Sequence, residues 1–182
     1  MSTILPVCIK PYLVHVLFKL FEGDEFHYNG KVVKGIKVDL SSTIGRWLRS
    51  HCIKANRPPK AKFYNLVFEM PNCSTSKWKG TAHQYVNGKN HFLHLPQEFM
   101  DDFNHLLEDL YRTRVCAFLE GYEIHGTIKQ GIRDFMQKYD LEEYDQTLES
   151  IERLYMREKE NTEKFSRFQH KWTANMGNVS AD

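Results

Sequence analysis

The sequence predicts an α+β fold, with a small antiparallel sheet and short helices on the N-terminal side and a helical C-terminal region containing a candidate helix-turn-helix. Three observations lead there. The pairs Asn29–Gly30 and Asn87–Gly88 stand between β-prone runs, and both residue types tolerate the positive φ of a tight hairpin turn. From Pro96 onward the apolar residues recur every three or four positions, the period of a helix face. The charge changes sign with the pattern. Residues 1–68 hold 11 Lys and Arg against 4 acids, a balance of +7, and residues 97–182 hold 11 against 18, a balance of −7, in a chain of net charge +2.

Val7 and Ile9 suggest a short strand. Pro11 then suits a helix start, where its missing amide hydrogen costs nothing, and Tyr12, Leu13, Val16, Leu17, Leu20 and Phe21 follow at helical spacing up to Gly23. The run FHYNGKVVKGIKVDL reads as a hairpin. Ser41 or Ser42 caps a short helix whose Ile44, Trp47 and Leu48 face inward, and the prolines of NRPPK end it. KFYNLVFEMP is a strand centred on Leu66–Phe68, NCSTSKWKG a polar loop, and YVNGKNHFLHLP a second hairpin. A long helix over 97–120 carries Phe99, Phe103, Leu106, Leu107, Leu110, Val115, Phe118 and Leu119 on one stripe, with Gly121 as its stop. Residues 128–139 form the next helix through Ile128, Ile132, Phe135, Met136 and Tyr139. The last begins near Asp145 or Thr147 and runs through Leu148, Ile151, Leu154 and Tyr155 towards Phe165, Phe168 and Trp172. The chain therefore divides into a basic α+β subdomain, 1–95, and a helical subdomain, 96–182, with the helix-turn-helix-like pair at 128–160.

At 182 residues, 41% hydrophobic and 13% aromatic, the chain can bury a core and is too short for a large multidomain enzyme. Cys8, Cys52, Cys73 and Cys116 show no CxxC spacing, so reduced thiols and a cytoplasmic location are expected. Pro6, Lys10, Pro11, His15 and Lys19 interrupt the apolar N-terminus and rule out a signal core or a span there, so no membrane partner is expected.

Cys73, His83, His91 and His94 lie within 22 residues, yet His91 and His94 are three apart and on a strand point to opposite faces, so no metal is expected. No Gly-x-Ser-x-Gly elbow, HExxH helix, P-loop or Gly-x-Gly-x-x-Gly occurs. Paired acids such as Asp101–Asp102 and Glu142–Glu143 fall on polar faces and turns. The expectation is a protein without enzymatic activity, cofactor or small-molecule substrate.

The cations say more. Between Leu40 and Phe68 stand Arg46, Arg49, Lys54, Arg57, Lys60 and Lys62 with no acid among them. Arg46 and Arg49 share a helix face, and Lys60 and Lys62 alternate towards a strand, an arrangement that neutralises phosphates or simply solvates a surface. In the helical region, IKQGIRDFMQKY, DLEEYDQT and LESIERLYMREKE supply a helix, a turn and a second helix. Ile132, Phe135, Leu141, Leu148, Ile151 and Tyr155 would lock the pair, leaving Lys129, Arg133, Lys138, Arg153 and Arg157 outward. The turn is longer than the three or four residues usual in a helix-turn-helix, and Glu142, Glu143, Asp145, Glu149 and Glu152 would face phosphates. A plain αα-hairpin uses the same apolar residues.

FMQKYDLEEYDQTLESIERLYMR resembles the helix-turn-helix end of Mor-type phage transcription activators, which carry a Lys-Tyr-x-Leu step between two helices. With IKPYLVHVLFKLF at the front, the overall plan is similar to that of small phage and mobile-element proteins of Bacteroidetes. The resemblance implies an oligomeric, DNA-binding transcription regulator or accessory factor. The expected nucleic-acid contacts are Arg46, Arg49, Arg57, Lys60 and Lys62 for the backbone and Lys129, Arg133, Arg153 and Arg157 at the helical end. The competing expectation is a self-associating scaffold or protein-interaction module without nucleic-acid binding, using the apolar stripes of the long and terminal helices.

Overall fold

Four strands between Thr3 and Met70 form two antiparallel pairs joined through one parallel pair. The computed structural model describes residues 3–28, 30–55, 63–71, 92–144 and 146–160. In chain order the elements are β1 (Thr3–Val7), α1 (Pro11–Leu20), β2 (Asp24–Tyr28), β3 (Lys31–Lys37), α2 (Thr43–His51), β4 (Ile53–Ala55), β5 (Leu66–Met70), β6 (Phe92–His94), α3 (Gln97–Glu123), α4 (Ile128–Tyr139) and α5 (Leu148–Glu160).

The four-stranded sheet has the order β1-β5-β3-β2, and β4 and β6 pair as a second, two-stranded sheet. β1 is antiparallel to β5 with Leu5 opposite Phe68, and β2 to β3 with Tyr28 opposite Lys31. That register leaves the two-residue turn expected of Asn29–Gly30. Gly30 adopts φ +75°, a conformation open to it because it has no Cβ, while Asn29 lies outside the described residues. The sheet is mixed, which corrects the expectation of a purely antiparallel one, because β3 runs parallel to β5 with Ile36 opposite Phe68. Hairpin signals report only neighbours in sequence. A parallel pair needs a long crossover, here everything between Lys37 and Leu66, and leaves no local signature.

Other boundaries shift for identifiable reasons. α2 ends at His51, ahead of the prolines, because Cys52 is extended (φ −72°, ψ 137°) and leads into β4, a strand absent from the sequence reading. Ser42 is the cap, its Oγ accepting from the Gly45 amide at 3.0 Å. α3 continues through Gly121 to Glu123, since a lone glycine lowers helix propensity without ending the helix. The second Asn-Gly pair, Asn87–Gly88, lies outside the described residues.

Alternation in the sheet directs Leu5, Val7, Ile36, Leu66 and Phe68 to one side, where Leu13, Val16 and Leu17 of α1 and Phe103 and Leu107 of α3 meet them. The Phe68 and Phe103 rings pack edge to face at 5.8 Å, and Trp47 of α2 stacks on Phe103 at 5.0 Å. The buried cluster continues without a break through Val115 and Leu119 to Ile132, Phe135, Leu141, Ile151 and Tyr155. Complete burial of each such side chain contributes about 1.5–3 kcal/mol, so sheet and helices are held by one apolar interior. Contacts between α3 and α4 step in opposite directions, Tyr122 with Asp134, Phe118 with Phe135 and Arg114 with Tyr139, so the two helices run antiparallel. Gly131 permits the close approach, because a Cβ there would lie 2.9 Å from Tyr122 Cγ.

No helix among the described residues is long and apolar enough to cross a membrane.

Candidate nucleic-acid interface

The pair α4–α5 is bounded by side chains that satisfy helix ends. Thr127 Oγ1 accepts from the Gln130 amide at 3.4 Å at the start of α4. Asp140 ends it in the left-handed region at φ 51°, and the Leu141 amide donates back to Met136 O at 3.0 Å. Thr147 and Ser150 cap α5 reciprocally, each backbone amide donating to the other's hydroxyl at 3.1 Å. The connection spans residues 140–147, eight positions. Ile132, Phe135, Leu141, Ile151 and Tyr155 are buried, and Leu148 is packed against them. This seam leaves Lys129, Arg133, Lys138, Arg153 and Arg157 exposed.

The cations predicted to act together occupy different places. Arg46 is exposed and Arg49 half-buried on α2, which Trp47 fastens to Phe103 near the start of α3. α4 packs on Phe118, fifteen residues further along α3 and so roughly 22 Å away at 1.5 Å per residue. Arg57, Lys60 and Lys62 lie outside the described residues, as do Cys73, His83, His91, Phe165, Phe168 and Trp172. Lys129 and Arg133 stand one turn apart on α4, Arg153 and Arg157 one turn apart on α5. Arg153 faces Glu149 at 3.7 Å, with both side chains well exposed, and Arg157 Nε donates to Arg153 O at 3.4 Å. Glu142 and Glu143 are exposed on the intervening turn.

Tertiary packing adds groups that the sequence reading missed. Arg133 lines a cleft of about 770 Å³ between α1, β3 and α4, together with His15, Lys34 and Asp140. There Lys34 Nζ lies 3.0 Å from His15 Nδ1, and the imidazole stacks on Tyr144 at 3.8 Å. Burial and then the Lys34 charge hold His15 below its ordinary value, and burial holds Lys34 below its own. Lys19 pairs with Asp140 at 2.8 Å, which keeps that carboxyl low. On the other flank of α4, Arg114 donates to the Tyr139 hydroxyl, and Lys138 lies 5.7 Å from the Phe118 ring centre. At the front of α3, Glu108 accepts from Lys10 and, at 3.0 Å, from Tyr12. Asn104 is bonded to the Lys10 amide at 3.1 Å and to Cys8 O at 3.2 Å. Partners 94 and 98 residues apart leave no spacing signal.

Among the described residues no three His, Cys, Asp or Glu side chains come together as a metal centre requires. His94 is exposed on β6. Cys52 is buried, which pushes its thiol up to about 12, and Cys116 is raised to about 11 first by burial and then by Glu158. Neither has the electropositive setting of a reactive thiolate.

Compared with protein-family models, curated proteins and solved structures, the chain matches none.

Proposed function

We propose that the protein is a non-enzymatic DNA-binding regulator or accessory factor of a phage or mobile element, with α4 and α5 as its duplex-facing helices. The observation that carries this reading is the exposure of Lys129, Arg133, Arg153 and Arg157 in two one-turn ladders on helices that share a buried seam. Cations so placed can follow a phosphate backbone, each neutralised phosphate releasing counterions. Arg46 and Arg49 on α2 are the proposed further backbone contacts, and Arg57, Lys60 and Lys62 are proposed with them from the sequence alone. Fluorescence titration of random duplex DNA at two salt concentrations tests the reading. Binding should weaken steeply with salt, and alanine at Lys129 and Arg133 together should reduce the logarithmic salt slope by roughly two. Absence of binding below about 100 μM at low salt would reject it, since non-specific binders reach roughly 10⁻⁴ to 10⁻⁶ M.

A second reading, a self-associating or protein-interaction module, is supported by Ile124, 72% exposed just past α3, by Met156, 38% exposed within α5, and by the opposite charges of the two halves. Complementary patches steer association between copies as readily as towards DNA. Sedimentation equilibrium separates the readings: a salt-resistant oligomer without duplex affinity identifies the module.

A further inference from the structure

The cleft of about 770 Å³ between α1, β3 and α4 carries an amine set against a base: Lys34 Nζ lies 3.0 Å from His15 Nδ1 and 3.1 Å from His15 Nε2. We propose that Lys34 is a covalent ligand site, its amine condensing with the carbonyl of a small anionic aldehyde or ketone while Arg133 holds the ligand's anionic group and His15 carries the proton. The inference stands apart from the DNA reading and invokes no turnover.

A lysine on a surface hairpin ordinarily extends into water. Lys34 is half-buried, lies 5.2 Å from the centre of the Phe18 ring, and is ion-paired with no carboxylate of the described residues. Burial, which disfavours the ammonium form, outweighs the attraction of Asp140, Glu25 and Glu143, and Lys19 adds repulsion, so the amine sits below its ordinary value of 10.5. A desolvated lysine with a base beside it is activated as a nucleophile towards carbonyl carbon. Either neutral tautomer of His15 leaves one ring nitrogen able to accept, and both nitrogens are within reach of Nζ, so an amine proton has a place to go in each.

The step balances without oxidant or reductant. The Nζ lone pair forms the C–N bond, the carbonyl oxygen takes a solvent proton, and one Nζ proton passes to His15, which gives a carbinolamine. His15 returns that proton to the hydroxyl, the C–O bond breaks, and water leaves behind a protonated imine. The cleft volume lies within the roughly 300–1,000 Å³ of small-molecule sites. Arg133, exposed and ion-paired with no carboxylate of the described residues, opens onto the same cleft, which selects a ligand with an anionic group. Of the acids in the lining, Asp134 accepts from Tyr122 at 2.5 Å and from Gln130 at 2.8 Å, Asp140 pairs with Lys19 at 2.8 Å, and Glu142 and Glu143 are exposed on the α4–α5 turn.

Reductive trapping on the full chain tests this. The protein is incubated near neutral pH with succinic semialdehyde, or with butyraldehyde, which has the same carbon chain and no carboxylate. Imines are reduced in place with cyanoborohydride, and peptide mapping by mass spectrometry gives the labelling rate of each lysine. Lys34 should react with succinic semialdehyde about tenfold faster than the exposed Lys31 and Lys129, and its rate should level off below the ordinary lysine value of 10.5. Arg133→Gln should slow succinic semialdehyde at Lys34 about three- to tenfold and leave butyraldehyde unchanged. His15→Phe should slow both aldehydes at Lys34 and neither at Lys31 or Lys129. Labelling of Lys34 no faster than that of Lys31 and Lys129 would overturn the proposal and leave the DNA reading untouched. Equal rates at Lys34 with the two aldehydes would overturn the assignment of an anionic ligand.

Discussion

Two seams join the sheet to the helices, and they rest on opposite electrostatics. At the front of α3 a carboxylate meets donors: Glu108, 12% exposed at its side chain, accepts from Lys10 and Tyr12 above the Phe68–Phe103–Trp47 stack. At the α4–α5 turn two bases meet, Lys34 on His15 at 3.0 Å, closed by Tyr144. Burial works against the charge at both sites. At Glu108 it is outweighed by the bonds from Lys10 and Tyr12, so the carboxyl ends below its ordinary value; at His15 burial and Lys34 act together, so the ring also ends below its own. Falling pH therefore acts on the second seam before it acts on the first. The second carries the turn between the proposed duplex-facing helices.

The largest expected effect is at the floor of the first seam. Phe103→Ala removes a fully buried ring touching β5 and α2, and should cost about 3–5 kcal/mol in urea unfolding. A cost under 1 kcal/mol would mean that this seam is not where sheet and helix are joined. Glu108→Gln keeps the shape but exchanges a charged acceptor for an amide, and should cost about 1–3 kcal/mol at neutral pH. The contribution of Glu108 is present above its ordinary 4.5 and is lost as the pH falls through the lower folded value, so wild type and variant should converge only in strong acid.

The smallest effect is the most diagnostic. The folded protein holds His15 below 6.5 while the unfolded chain keeps that value, so the unfolded chain takes up the proton first as the pH falls. The contribution is present above 6.5 and is lost below it. His15→Phe keeps a ring against Tyr144 and abolishes this titration, so the difference between the two unfolding curves should change by under about 1 kcal/mol between pH 7.5 and 5.5, with the wild type losing more. Parallel curves would show that the second seam does not sense the proton.

Much of this was legible locally. Residues 128–139 are a helix as their apolar period says, Ser42 caps α2, Gly30 turns the hairpin, and Ile132, Phe135, Leu141, Ile151 and Tyr155 are buried as their spacing requires. The outward direction of Lys129, Arg133, Arg153 and Arg157 follows from the same periods, because a helix that buries one stripe must expose the other. The parallel β3–β5 pair, the strand β4 and the partners of Glu108 and His15 were not legible.

The sequence by itself determined the properties that depend on neighbours within about four residues: helix faces, caps, a hairpin turn and the opposite charge of the two halves. Only the tertiary structure decided which strand lies beside which, that Lys10 and Lys19 of the basic half are spent on Glu108 and Asp140 of the acidic half, and that Arg112 shares a recess with Arg157. The physical reason is that backbone geometry imposes periods of two and 3.6 on the chain as it is read. A contact between residues 98 positions apart exists only after the apolar interior has closed and brought the two strangers within reach.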